Sequence, residues 1–177
     1  MRLPIGIGDY VIRDWAMSDT DALVKHADNH NVWRNLLDAF PHPYSRRDAR
    51  EWLHLATDQQ PRVSFAIASP DEAIGGIGLQ LQHDVSSRSA EVGYWLGEPF
   101  WGKGIATAAV RAFTYWAFAH RELQIERLFA NAFAWNPASA RVLEKAGYTW
   151  EGTLRRHVYK DGEFTDLLVY GLLRDDL

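Results

Sequence analysis

Cysteine is absent from these 177 residues, which removes a disulfide framework, a thiol nucleophile and a thiolate metal site together. Concentrated positive charge is missing too. Lys and Arg number 19 against 23 Asp and Glu, a formal charge of −4, and the densest basic clusters are only Arg46/Arg47/Arg50 and Arg155/Arg156. No nucleic-acid backbone is expected as the main partner. No uncharged apolar run reaches the roughly 18 residues of a membrane span, since Arg111 interrupts the best one. The first residues, Met1-Arg2-Leu3-Pro4-Ile5-Gly6, carry no secretory core. The expectation is a cytoplasmic protein without a membrane partner. Apolar side chains, by contrast, are plentiful. At 47% hydrophobic and 13% aromatic, the chain can bury a large core, and its length suits one domain over residues 1–177.

Residues 91–111 organise the pattern. Residues 90–96 are aromatic and β-branched enough for a strand. Gly97, Pro99, Gly102 and Gly104 then predict a tight loop. Ile105, Ala108, Ala109, Ala112, Phe113 and Trp116 repeat at helical spacing. Glycines at the mouth of a helix let backbone N–H groups approach an anion, and the helix dipole favours negative charge there. Residues 101–106 are therefore a candidate phosphate site.

Around this segment the spacing predicts a strand at 10–15 and a helix over about 19–28, opened by Ser18 and Asp21. A short helical piece is expected at 31–37. Ser45 and Asp48 open a further helix with Ala49, Trp52, Leu53 and Ala56 on its apolar face. Val63, Phe65 and Ile67 alternate as a strand, and a turn at 69–72 leads into a second at 73–82. Residues 127–135 are apolar on both alternating faces, as in a strand covered on both sides. Asn136 caps a helix with Pro137 at its first position and Gly147 beyond its end. A strand is expected at 148–154, and Asp161-Gly162 turns a hairpin between 156–159 and 164–172. The order is mixed α/β, with antiparallel pairs at both ends and one crossover helix.

Two phosphate-binding patterns come close and fail. Gly97 to Lys103 spells G-x-x-x-x-G-K, but Gly104 stands where a hydroxyl would hold Mg²⁺. A dinucleotide fingerprint after Gly102 and Gly104 needs glycine at 107, which is Thr107. A third fits. Trp101-Gly-Lys-Gly-Ile-Ala106 resembles the coenzyme-A loop of the GNAT acetyltransferases, Gln/Arg-x-x-Gly-x-Gly/Ala; Gly104 and Ala106 match and Trp101 departs. The Trp-Gly-Lys-Gly form is similar to the branch holding the Rim-type ribosomal-protein N-terminal acetyltransferases. Asn136-Pro-Ala-Ser139 with Lys145-Ala-Gly147-Tyr148 resembles the same branch, as do Ala90-Glu91-Val-Gly93-Tyr94-Trp95, Glu151-Gly152-Thr-Leu-Arg155, Gly162 and residues 166–170.

That resemblance implies the acyl-CoA N-acyltransferase fold: a central, mostly antiparallel twisted sheet, splayed between the strands at 90–96 and 127–135, with helices on both faces. It implies acetyl-CoA as co-substrate and no metal. Gly102, Lys103, Gly104, Ile105, Ala106 and Thr107 would take the diphosphate, backbone groups near Trp95 and Leu96 the pantetheine, and Asn136 a further contact. Lys103 is as readily a solvated loop lysine. Glu91 stands where many members carry a glutamate base, an ordinary solvent-end Glu being the plain alternative. Leu96 N–H would steady the carbonyl oxygen, and Ser139, in the first turn of its helix, would serve the leaving sulfur. Trp33 and Tyr44 lie where the acceptor groove forms, whereas Trp52 belongs to the core stripe. Tyr94, Trp95 and Tyr148 line a tunnel or simply pack. His26 and His30 are four apart, but Asn29 and Asn31 end that helix and no third metal ligand follows. The implied reaction moves an acetyl group to a primary amine, chiefly the N-terminal α-amine of a ribosomal or other protein. A small amine (polyamine, amino acid or aminoglycoside) and a non-catalytic acyl-CoA-binding module are the alternatives, and a homodimer would fit any of them.

Overall fold

The computed structural model describes residues 1–177. Its strands are β1 (Arg2–Pro4), β2 (Val11–Arg13), β3 (Ser64–Ala68), β4 (Ala73–Leu81), β5 (Ser89–Leu96), β6 (Arg127–Phe133), β7 (Thr149–Lys160) and β8 (Glu163–Leu173). The helices are α1 (Thr20–Ala27), α2 (His30–Trp33), α3 (Arg46–Asp58), α4 (Ile105–Ala119) and α5 (Pro137–Ala146). The strands form one eight-stranded sheet in the order β1-β2-β3-β4-β5-β6-β8-β7. The β5–β6 pair is parallel, and the β1–β2, β2–β3, β3–β4, β6–β8 and β7–β8 pairs are antiparallel. This is the mixed α/β fold expected.

The chain divides into two compact units. One comprises Met1–Gly78 with Tyr94–Ala109, the other Leu79–Gly93 with Val110–Leu177. In the first, α1 and α3 bury Leu23, Ala27, Ala49 and Leu53 with Trp15, Tyr44 and Ala66. Ser45 caps α3 by accepting from Asp48 N–H, and Asp48 returns the bond, so the expected capping box is present. The apolar stripe is narrower than its spelling. Ala49, Leu53 and Ala56 are buried, but Trp52 is 39% exposed, which corrects its assignment to the core. The helix expected at 31–37 is the four-residue α2, and Asn29 begins it rather than ending the one before. Its Oδ1 accepts from the N–H groups of Asn31 (2.8 Å) and Val32 (3.2 Å).

In the second unit β6 pairs with β8 along its whole length, from Arg127↔Leu173 to Phe133↔Leu167. Its pairing with β5 covers only Ser89↔Arg127, Ala90↔Leu128 and Glu91↔Phe129. The ladder ends at Glu91. The α5 helix has the expected bounds: Asn136 Oδ1 accepts from Ser139 N–H, and Gly147 closes the helix at φ +102°. The strands expected at 148–154 and 156–159 are one continuous strand. Two register shifts, between Trp150 and Gly152 and between Leu154 and Val158, absorb the irregular spacing. Arg156 sits within the second at φ +51°, held there by its N–H bond to Asp166 Oδ1 at 2.7 Å. Asp161 and Gly162 both have positive φ, as a two-residue hairpin turn requires.

Gly75 of β4 lies against β5: a Cβ there would come within 2.3 Å of the Trp95 carbonyl oxygen and 3.0 Å of Leu96 Cα. Both are backbone atoms, which cannot swing aside. Gly75→Ala is therefore expected to destabilise the protein by about 1–3 kcal/mol, read as a lower denaturant midpoint.

Candidate functional site

The first unit contains the loop into α4. Gly97 N–H donates to Ile74 O at 2.8 Å, and one 3₁₀ turn follows over Glu98–Phe100. Gly102 and Gly104 adopt φ +74° and +78°, which side-chain-bearing residues rarely tolerate. A Cβ at Gly102 would meet no atom within 4 Å. The glycines are needed for their backbone angle; a Cβ at Gly104 would lie 3.7 Å from Ile7 Cδ1, an ordinary contact. The first hydrogen bond of α4 runs from Ala108 N–H to Gly104 O at 3.0 Å, and the N–H groups of a helix's first turn have no partner within the helix. No acidic residue occupies that turn. N–H donors and the positive end of a 15-residue helix, with no acidic side chain in its first turn, fit a diphosphate. Lys103 Nζ lies 5.4 Å from the centre of the Phe100 ring, so its charge is part of the loop's own packing. Trp101 has a role that the loop spelling does not disclose. Its indole N–H donates to Leu96 O at 2.6 Å and ties the loop back to the end of β5.

That bond and the position of Gly75 also define the strand edge. The Trp95 carbonyl is turned toward β4, and Gly97 N–H bonds to β4 as well. Pleat alternation then turns the backbone groups of Leu96 away from β4. Of the two residues expected to pair with a ligand, the Trp95 carbonyl is turned toward β4 and the Leu96 backbone away from it. The Trp95 side chain packs edge-on to Phe40 at 5.6 Å.

Two acceptor-side candidates diverge. Trp33 is half-buried and stacks on His42, with ring centres 5.3 Å apart, and His42 Nδ1 is 3.6 Å from Asp28 Oδ1. Tyr44 is only 4% exposed and packs in the core, so it is no open groove wall. Burial, with Asp48 nearby, pushes its phenol up to about 12, and the hydroxyl stays protonated. His26 and His30 lie on different helices, and no cluster of three or more His, Cys, Asp or Glu gathers to hold a metal ion.

The second unit holds Glu91, Asn136, Ser139 and Tyr148. Glu91 is half-buried at the last rung of the β5–β6 ladder, and its Oε1 accepts from Asn131 Nδ2 at 2.9 Å. Burial raises the carboxyl above its ordinary range, while the Asn131 bond opposes that rise and is outweighed. Asn131 was not singled out from the sequence. The signal was there: an amide in the middle of a strand, flanked by the apolar residues 128–130 and 132–133. Asn136 uses its side-chain oxygen for the cap, accepting from Ser139 N–H at 3.2 Å, and Ser139 is half-buried at the third helical position. Tyr148 is buried, and its hydroxyl shares a hydrogen bond with Thr114 Oγ1 at 2.9 Å, so it packs rather than lines a tunnel. A raised folded-state pKa favours the protonated carboxyl, so the stability it confers is full below the unfolded value and lost as pH rises through the folded one. Glu91→Gln is therefore expected to raise stability near neutral pH and not in acid. Asn131→Ala should push the Glu91 pKa further up, as followed by carboxyl NMR titration.

The family described as acetyltransferase (GNAT) domain matches residues 10–149. Probable N-acetyltransferase YjcK of Bacillus subtilis (strain 168) is 36% identical over 69% of this chain and 66% of its own length. The ribosomal-protein-serine acetyltransferase of Escherichia coli (strain K12) is 30% identical over 63% of this chain and 60% of its own. The chain thus spans less than two thirds of either relative. Mycobacterium smegmatis RimJ, solved in complex with CoA-disulfide, is 25% identical with a TM-score of 0.83, covering 99% of this chain and 86% of that one. With the family matched over most of its length, the chain belongs to the GNAT acetyltransferases, and Rim proteins stand among its relatives.

Proposed function

We propose that this chain transfers an acetyl group from acetyl-CoA to a primary amine, the N-terminal α-amine of a ribosomal or other protein. The observation that carries the reading is Glu91: a half-buried carboxylate of raised proton affinity, held by one amide, where its strand loses its parallel neighbour. The relative named for ribosomal-protein serine supports the choice of acceptor, and the RimJ structure with CoA-disulfide supports the co-substrate.

Acetyl-CoA supplies the acetyl group as a thioester. The backbone N–H groups of Gly102, Lys103, Gly104, Ile105, Ala106 and Thr107 would hold its diphosphate, and Leu96 N–H would bond along its pantetheine or steady the acetyl oxygen. An α-amine of pKa about 8 is mostly protonated at neutral pH, and only its neutral form is a nucleophile. Glu91 takes the proton, directly or through water, and its raised pKa brings proton affinities of base and amine closer. Asn131 orients the carboxylate. Ser139 would donate a hydrogen bond to the departing thiolate while keeping its own proton, the thiolate taking a proton from solvent, and Asn136 holds the helix turn that places Ser139. Trp33 is the acceptor-side aromatic.

Acetyl-CoA turnover against N-terminal peptides, polyamines and aminoglycosides tests the reading. Peptide acetylation is expected. Turnover only with small amines would move the acceptor class, and coenzyme binding without any turnover would reduce the chain to a binding module. Glu91→Gln is expected to lower kcat by about 10²–10⁴-fold with little change in KM for acetyl-CoA. It should also abolish the acid limb of the kcat–pH profile, which in the native protein lies above the ordinary glutamate range.

A further inference from the structure

The 3₁₀ turn ahead of the anion loop is gripped from α1 and α2, all within the first unit. His26 of α1 is 4% exposed, and its Nε2 lies 3.0 Å from Glu72 Oε1. Its ring sits against Gly97 so closely that a Cβ there would come within 2.9 Å of Nδ1. The same ring meets Phe100 edge-on at 5.4 Å. Glu98, between them, commits both carboxylate oxygens to one short segment. Oε2 accepts from Asn29 Nδ2 at 2.7 Å and Oε1 from Asn31 Nδ2 at 2.9 Å.

The orientation of Asn29 is not free. Its Oδ1 caps α2 through the N–H groups of Asn31 and Val32, so its amide nitrogen must face the turn. A group that meets that nitrogen has to be an acceptor, and a carboxylate can accept from two amides at once. Such charge-assisted bonds are about twice as strong as neutral ones.

We propose that Glu98 is a positioning residue that locks the turn before the coenzyme loop to the start of α2, the segment carrying His30 and Trp33. The inference rests on reading that loop as the coenzyme site. Its consequence is that the loop keeps its donor geometry only while α2 is in place. A change at α2 is therefore felt in coenzyme affinity, although α2 makes no contact with the coenzyme in this scheme.

Asn29→Asp isolates the effect. Aspartate caps a helix as well as asparagine does, so a role confined to capping predicts no change. Facing Glu98, however, it sets two carboxylates against each other. The variant is expected to bind coenzyme A about ten- to a hundredfold more weakly by calorimetry, the equivalent of one charged hydrogen bond lost. In the coenzyme-free protein, amide exchange at Gly97, Phe100 and Trp101 should quicken. Adding Glu98→Gln removes the opposing charge, placing an amide donor toward the introduced carboxylate and an acceptor toward Asn31. The double variant should return both readouts to within about twofold of the parent. Native affinity and exchange in Asn29→Asp, or no recovery in the double variant, would overturn the proposal. If the parent fails to bind coenzyme A at all, the coenzyme reading falls, while the exchange data still decide whether Glu98 holds the turn.

Discussion

Everything the first unit offers to a ligand depends on one backbone constraint, the left-handed angles of Gly102 and Gly104 that turn β5 into α4. They set the first helical residues so that N–H groups point off the end of a 15-residue helix, where about half a positive charge accumulates. Several donors of this kind, each worth about 1.5–3 kcal/mol to a charged acceptor, outweigh any single loop lysine. Lys103 stacked on Phe100 is consistent with that order of importance. A loop of this conformation needs bracing, and it has it on several sides. The Trp101 indole holds Leu96 O, Gly97 N–H holds Ile74 O, and His26 fills the space that Gly97 leaves empty.

Glu91 in the second unit follows the opposite logic. Desolvation makes its charged form unfavourable, one hydrogen bond donated by the Asn131 amide offsets part of that, and the balance leaves the carboxyl easier to protonate than in water. Folding alone gains nothing from such a residue. Such a balance suits the proton-accepting role proposed for it.

Local chemistry was the most legible part of the fold. The Asn136 cap, Gly147 stop, Ser45/Asp48 box and Asp161-Gly162 turn each satisfy or release backbone groups within a few residues, and all stand where their spelling places them. Misreadings arose where a distant partner decides. Trp52 has the spacing of a core residue, yet Ala49, Leu53 and Ala56 suffice to meet α1 and leave the indole outside. Tyr44 looks like a groove aromatic until α1 and α3 close over it. The strand over 149–160 reads as two because pairing with β8, not its own residues, carries it through two irregularities.

By itself, the sequence determined most element types, the caps of α3 and α5 and the Asp161-Gly162 turn, because each rests on interactions within about four residues of chain. The opening expected of Ser18 and Asp21 falls instead to Asp19, whose Oδ2 accepts from Ala16 N–H. The motif spellings also determined the family. Tertiary structure alone decided that Asn131 reaches Glu91, that Trp101 closes on Leu96, and that both oxygens of Glu98 meet α2. Two of these contacts join residues 40 or more positions apart and depend on strand register or helix placement, which chain-local propensity does not encode. The third spans only five residues, yet it requires the loop to double back. Such a reversal is set by the glycines' backbone angles together with the packing around them.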